Sequence, residues 1–165
     1  MQILQIGRLS NDVNAHLERE YGACALWQQT QIDEFLQQHG ANFELVVTSA
    51  AYGLTAAHMA MLPNLRAVCS FGVGYDSIDV AALQQNSIVL SNTPDVLTDC
   101  VADLAMGLLI DVSRGISAGD RYARAGLWGS KQRMGMGARV TGKKLGILGL
   151  GRIGLAIAER AQGFK

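Results

Sequence analysis

Lys144-Leu-Gly-Ile-Leu-Gly-Leu-Gly-Arg-Ile-Gly154 is the stretch on which the reading of this chain turns. Lys144 to Leu148 is expected to be a strand, and Arg152 onward a helix. Between them, Gly149-Leu-Gly-Arg-Ile-Gly154 spaces three glycines as G-x-G-x-x-G. That spacing alone is weak evidence, but between a strand and a helix it is much stronger. Gly149 permits the tight turn, Gly151 lets backbone approach a pyrophosphate, and Gly154 lets the helix pack closely on its strand. The helix N-terminus then presents unpaired N–H groups and a positive dipole end to phosphate. Arg152 and Ile153 fill the variable positions of the turn. The residue that reads the ribose is due about 20 positions further on, past Lys165. The expectation is therefore one β-α unit opening an incomplete Rossmann domain, with the adenosine site unfinished.

Upstream the pattern is an alternation. Gln2 to Ile6, Ala23 to Trp27, Phe43 to Thr48, Leu65 to Ser70 and Ser87 to Ser91 are short, apolar and rich in β-formers. Between them, Val13, Leu17 and Tyr21 fall on one helix face, as do Ile32, Phe35 and Leu36 before Gly40, the expected C-terminal stop. Thr55 and Asp79 are expected N-caps of two further helices. Crossover helices demand parallel strands covered on both faces. The expected fold is α/β: a flavodoxin-like, doubly wound parallel sheet over residues 1–97. Residues 98–165 then form a long helix, an arm and the start of the glycine-turn domain. Asp99 to Ile116 carries apolar residues on more than one face, so burial on several sides is expected. A break is expected at Gly115 or Gly119, and Gly129 to Gly142 reads as loop.

Composition narrows the classes of function. The 165 residues hold 14 Lys+Arg and 14 Asp+Glu, so no basic surplus argues for nucleic acid or an anionic membrane surface. Apolar residues at 49% and charged residues at 17% suffice for a buried core. Cys24, Cys69 and Cys100 form no C-x-x-C and read as buried free thiols; no metal site is expected. Leu45 to Leu65 lacks charge but is interrupted by Thr48, Gly53, Thr55 and Pro63, so it reads as strand, turn and helix rather than a span. The first residues lack a basic, apolar leader pattern. A cytoplasmic protein is expected.

Four segments, in order, resemble the D-isomer-specific 2-hydroxyacid dehydrogenases, in particular the glyoxylate/hydroxypyruvate and hydroxyphenylpyruvate reductase branch. They are Ser70-Phe-Gly-Val-Gly-Tyr-Asp-Ser-Ile-Asp79, Ser91-Asn-Thr-Pro-Asp-Val-Leu-Thr98, Val101-Ala-Asp-Leu-Ala-Met-Gly-Leu-Leu109 and Thr141-Gly-Lys-Lys-Leu-Gly-Ile-Leu-Gly-Leu-Gly-Arg-Ile-Gly154. The resemblance implies hydride transfer between NADP or NAD and a small 2-oxo acid such as glyoxylate or hydroxypyruvate, with NADP favoured by the branch. It places the family's catalytic arginine, acid and histidine beyond residue 165, so this chain carries no catalytic residue and is expected to be inactive alone. His16, His39 and His58 match none of them.

The resemblance also distributes roles residue by residue. Val73 and Gly74 match the loop whose N–H groups receive the substrate carboxylate; successive N–H groups in a glycine turn make an anion-binding concavity, and a simple turn is the plain alternative. Tyr52, after a strand end, lines the substrate side chain or is merely a rim aromatic. Gly149, Gly151, Arg152, Ile153 and Gly154 match the cofactor turn. Val101 matches a position near the nicotinamide, or is core. Asn92-Thr-Pro94 marks the crossing between domains. The 99–128 segment resembles the arm that family dimers exchange, which implies a homodimer. The competing reading is a non-catalytic, dimerising remnant that binds 2-oxo acids or a full-length relative.

Overall fold

The computed structural model describes residues 2–165, which form two compact units, up to Pro94 and from Asp95 onward. In the first unit five parallel strands lie in the order β2-β1-β3-β4-β5. They are β1 (Gln2–Gln5), β2 (Cys24–Ala25), β3 (Phe43–Thr48), β4 (Ala67–Ser70) and β5 (Val89–Ser91). Helices α1 (Asn11–Tyr21), α2 (Ile32–His39), α3 (Ala56–Ala60) and α4 (Val80–Gln85) are the crossovers. This is the doubly wound order in which the strand order reverses between β1 and β3, and such a switch point opens a crevice at the carboxyl ends of the strands.

The register follows from burial on both faces. Leu4 pairs with Val46, which pairs with Val68, and all three are fully buried. Leu26, Leu36, Leu54, Leu62 and Leu83 close over this row from the helices and loops. Each fully buried leucine contributes about 1.5–3 kcal/mol. The two expected caps form: Thr55 Oγ1 accepts from His58 N at 3.2 Å and Asp79 Oδ1 from Ala82 N at 3.0 Å. Each satisfies one otherwise orphan donor, worth about 1 kcal/mol.

Several expectations need correction. The strand expected over Ala23 to Trp27 is confined to Cys24–Ala25, and the chain turns into a 3₁₀ turn at Leu26–Gln28. α2 does end at Gly40, but that glycine is right-handed rather than left-handed, with φ −57°, and its small size leaves room for the carbonyl of Met61. The left-handed helix stop is Gly22, with φ 58°. Cys24 and Cys69 are half-buried, with burial pushing their thiols up, and Cys100 is exposed. No helix among the described residues is long and apolar enough to cross a membrane.

The second unit contains α5 (Thr98–Arg114), α6 (Ile116–Arg124) and α7 (Arg152–Ala161). The expected break falls at Gly115, whose φ is 66°. Asp111 holds the break: Ser117 donates to its carboxylate from both N–H and Oγ at 2.6 Å, keeping the carboxyl below its usual range. Arg160 fastens α7 to α5. Its Nε donates to Asp103 Oδ1 at 2.5 Å and its Nη2 to Asp99 Oδ1 at 2.9 Å. Those carboxylates, Asp103 foremost, hold the guanidinium above its usual value.

Two expectations fail in this unit. Lys144 to Leu148 forms no strand, and the unit has no strand among the described residues. A strand exists through its ladder partner, and here Leu145 and Leu148 lie exposed instead. The α half of the expected β-α unit is formed, while the β half is unpaired. Nor is α5 buried on several sides: Ala102 and Met106 are buried, but Leu104, Leu108 and Val112 are exposed.

Candidate functional site

The carboxyl ends of three neighbouring strands carry the first group of candidate residues. After β4 the chain makes the turn Gly72-Val73-Gly74, with Gly72 at φ 133°. The turn is held by its carbonyls. Gly72 O accepts from Thr93 N at 2.9 Å, Val73 O from Asn92 Nδ2 at 2.9 Å and Gly74 O from Ser70 Oγ at 3.2 Å. Gly72 N donates to Thr93 Oγ1 at 3.1 Å. The N–H groups of Val73 and Gly74 donate to no protein acceptor among the described residues. Fixed carbonyls and two successive free donors are what an oxyanion or carboxylate seat requires. Asn92 and Thr93, marked in the sequence only as a crossing between domains, are the residues that hold this turn. Their side chains being placed beside it is a tertiary fact that local pattern does not carry.

Tyr52 follows β3 and crosses to the end of β1. Its ring lies against Gly7, where even a Cβ would come within 2.2 Å of the ring carbons, and its OH donates to Arg8 O at 3.0 Å. About half of its surface remains exposed. Tyr52 is thus pinned at both ends beside the carboxyl end of β1, while the 72–74 turn follows β4, on the other side of β3. In the sequence Gly7 reads only as a strand stop closing β1; its use as a seat for the ring depends on a residue 45 positions later. Asp76 and Asp79 take turn and cap positions, and Asp79 is spent on α4.

The second group lies wholly in the second unit. Gly149 has φ 93° and Gly151 is the N-cap of α7, with extended backbone. Gly154 is buried, and a Cβ there would sit 2.1 Å from Gly149 O. The first turn of α7 therefore folds back against the glycine turn, and only glycine at 154 allows it. A Cβ at Gly149 or at Gly151 would meet nothing within 4 Å. The turn is open on its outer side, which is the shape a pyrophosphate needs, and Arg152 Nε lies 2.9 Å from Asp95 Oδ1 at its edge. Ile153 is over a third exposed on α7. Val101, on α5, is likewise partly exposed rather than core. A cleft of about 330 Å³ in this unit is lined by Met106, Leu109, Val140, Leu145 and Phe164 and does not include the glycine turn. No cluster of metal-ligating side chains occurs among the described residues.

Residues 3–162 match the family model described as D-isomer specific 2-hydroxyacid dehydrogenase, catalytic domain. The chain belongs to that family. It is 38% identical to a glyoxylate/hydroxypyruvate reductase of Arabidopsis thaliana, over 99% of this chain and 52% of the relative. Among solved structures it superposes on a 2-hydroxyacid dehydrogenase from Ketogulonicigenium vulgare with a TM-score of 0.90 at 35% identity, covering 99% of this chain and 51% of that one. A glyoxylate/hydroxypyruvate reductase from Sinorhizobium meliloti, solved with NADP and malonate, gives 0.81 at 32% identity and covers 99% and 50%. The chain thus spans about half the length of the relatives it matches.

Proposed function

We propose that this chain supplies the substrate-carboxylate seat and the pyrophosphate turn of an NAD(P)H-dependent reductase acting on small 2-oxo acids, glyoxylate or hydroxypyruvate, in the cytoplasm. The observation that carries the proposal is the 72–74 turn: its three carbonyls are engaged and the N–H groups of Val73 and Gly74 are free. These two donors hold the carboxylate without a charged side chain, and Tyr52 closes the side-chain end of the crevice. Gly149, Gly151, Arg152, Ile153 and Gly154 hold the dinucleotide's pyrophosphate, and Val101 lines the nicotinamide side. The bound dinucleotide supplies the hydride. NADP is favoured because a reductase of this family was solved with it.

Proton donation and the arginine clamp come from residues outside this sequence. The 165-residue chain therefore binds and does not turn over. Calorimetry with oxalate, a planar mimic of glyoxylate, is expected to give saturable binding, while NADPH with glyoxylate shows no loss of absorbance. No heat with oxalate would remove the carboxylate seat. Turnover by the purified chain would overturn the division of labour.

A second reading, a dimerising module that binds 2-oxo acids without chemistry, is favoured by one feature. Leu104, Leu108 and Val112 form an exposed apolar stripe on α5, and Ile116, at the start of α6, is also exposed. A homodimer through residues 99–128 would cover that stripe.

A further inference from the structure

The pair Asp95–Arg152 joins two residues that each sit in a locally unfavourable setting. Arg152 opens α7, where the helix dipole disfavours a cation. Asp95 sits at φ 71°, a left-handed conformation that is uncommon for a residue with a side chain. That backbone conformation brings its carboxylate to 2.9 Å from Arg152 Nε, at the edge of the open glycine turn. Both side chains are about two-thirds exposed, so the pair contributes little to folding. What it does is set a carboxylate on the guanidinium of the first residue of α7.

We infer that Asp95 is a built-in competitor for Arg152: its carboxylate occupies the guanidinium that the dinucleotide's pyrophosphate requires, and ligand binding exchanges one anion for the other. Asp95 is thus a positioning residue that tunes cofactor affinity downward, toward release, without touching the substrate. The inference rests on the reading of the glycine turn as a pyrophosphate seat, given above.

The test uses the 165-residue chain with inorganic pyrophosphate as probe, read by calorimetry, and with the Nε–H signal of Arg152 read by NMR. Asparagine tolerates the left-handed region, so Asp95→Asn removes the charge and keeps the backbone; Asp95→Gly is the second variant. In the ligand-free chain both are expected to move the Arg152 Nε–H signal. Both are expected to tighten pyrophosphate binding by about two- to fivefold, the size of an exposed ion pair. Arg152→Gln is expected to weaken binding, and adding Asp95→Asn to it is expected to restore nothing. If Asp95→Asn still tightens binding in the Arg152→Gln background, general charge repulsion explains the gain and the competition is wrong. If Asp95→Asn changes nothing while Arg152→Gln weakens binding, the seat stands and the competition falls. If Arg152→Gln has no effect, or no variant binds pyrophosphate, the seat itself falls and takes the inference with it.

Discussion

Gly154→Ala is expected to loosen the second unit and to abolish its affinity for pyrophosphate together. The new methyl would sit 2.1 Å from Gly149 O and 3.2 Å from Gly149 C. Neither atom is the end of a flexible side chain, so α7 must move away from the turn. Overpacking of this kind costs about 1–3 kcal/mol. For a unit of this size that is a large share of the total, since whole domains are stable by about 5–15 kcal/mol. Hydrogen exchange resolves the effect: amides of α7 and α5 lose protection, while those of β1, β3 and β4 keep theirs. Full protection of α7 in the variant would show that the helix is not seated on the turn in solution.

The opposite pattern is expected for Leu4→Ala. Leu4 is fully buried at the centre of β1 and in register with Cys24 on one side and Val46 on the other. A cavity there, between helices on both faces, costs about 2–5 kcal/mol. The first unit is expected to melt earlier or to fail to fold, and oxalate binding is lost with it. Leu4→Ile, which nearly preserves volume, is expected to cost under about 1.5 kcal/mol and to keep oxalate binding. Equal melting of the wild type and Leu4→Ala would contradict the packing of the sheet. Opposite responses of the two units to the two substitutions follow from their separate sets of internal contacts.

The parallel sheet was legible because each of its signals is local. Phe43 to Thr48 is continuous and β-branched, as a strand buried on both faces must be, and Thr55 and Asp79 announce helix starts with their own side chains. The glycine turn was legible for the same reason: close approach at Gly154 and the turn at Gly149 are needs of the adjacent backbone. What escaped was settled by distant partners. Lys144 to Leu148 has a strand's composition but no ladder to join, so composition alone misled. The apolar residues of α5 announce burial without naming what buries them, and Leu104, Leu108 and Val112 stay exposed here. Gly40 does end α2, as its position announced, but the need for so small a residue there answers to Met61, more than twenty residues on. At the candidate site, Val73 and Gly74 were found through resemblance. The residues that fix their carbonyls, Asn92 and Ser70, and the seat of Tyr52 on Gly7, came only from the folded chain.

The most direct measurement is an amide-resolved NMR titration of the 165-residue chain with oxalate. Val73 and Gly74 N–H are expected to move farthest and downfield as they take up the carboxylate, with smaller shifts at Gly7 and Tyr52 and none at Gly149 to Gly154. Saturable shifts centred elsewhere, with Val73 and Gly74 unmoved, would contradict the claim that this turn is built to hold a 2-oxo acid.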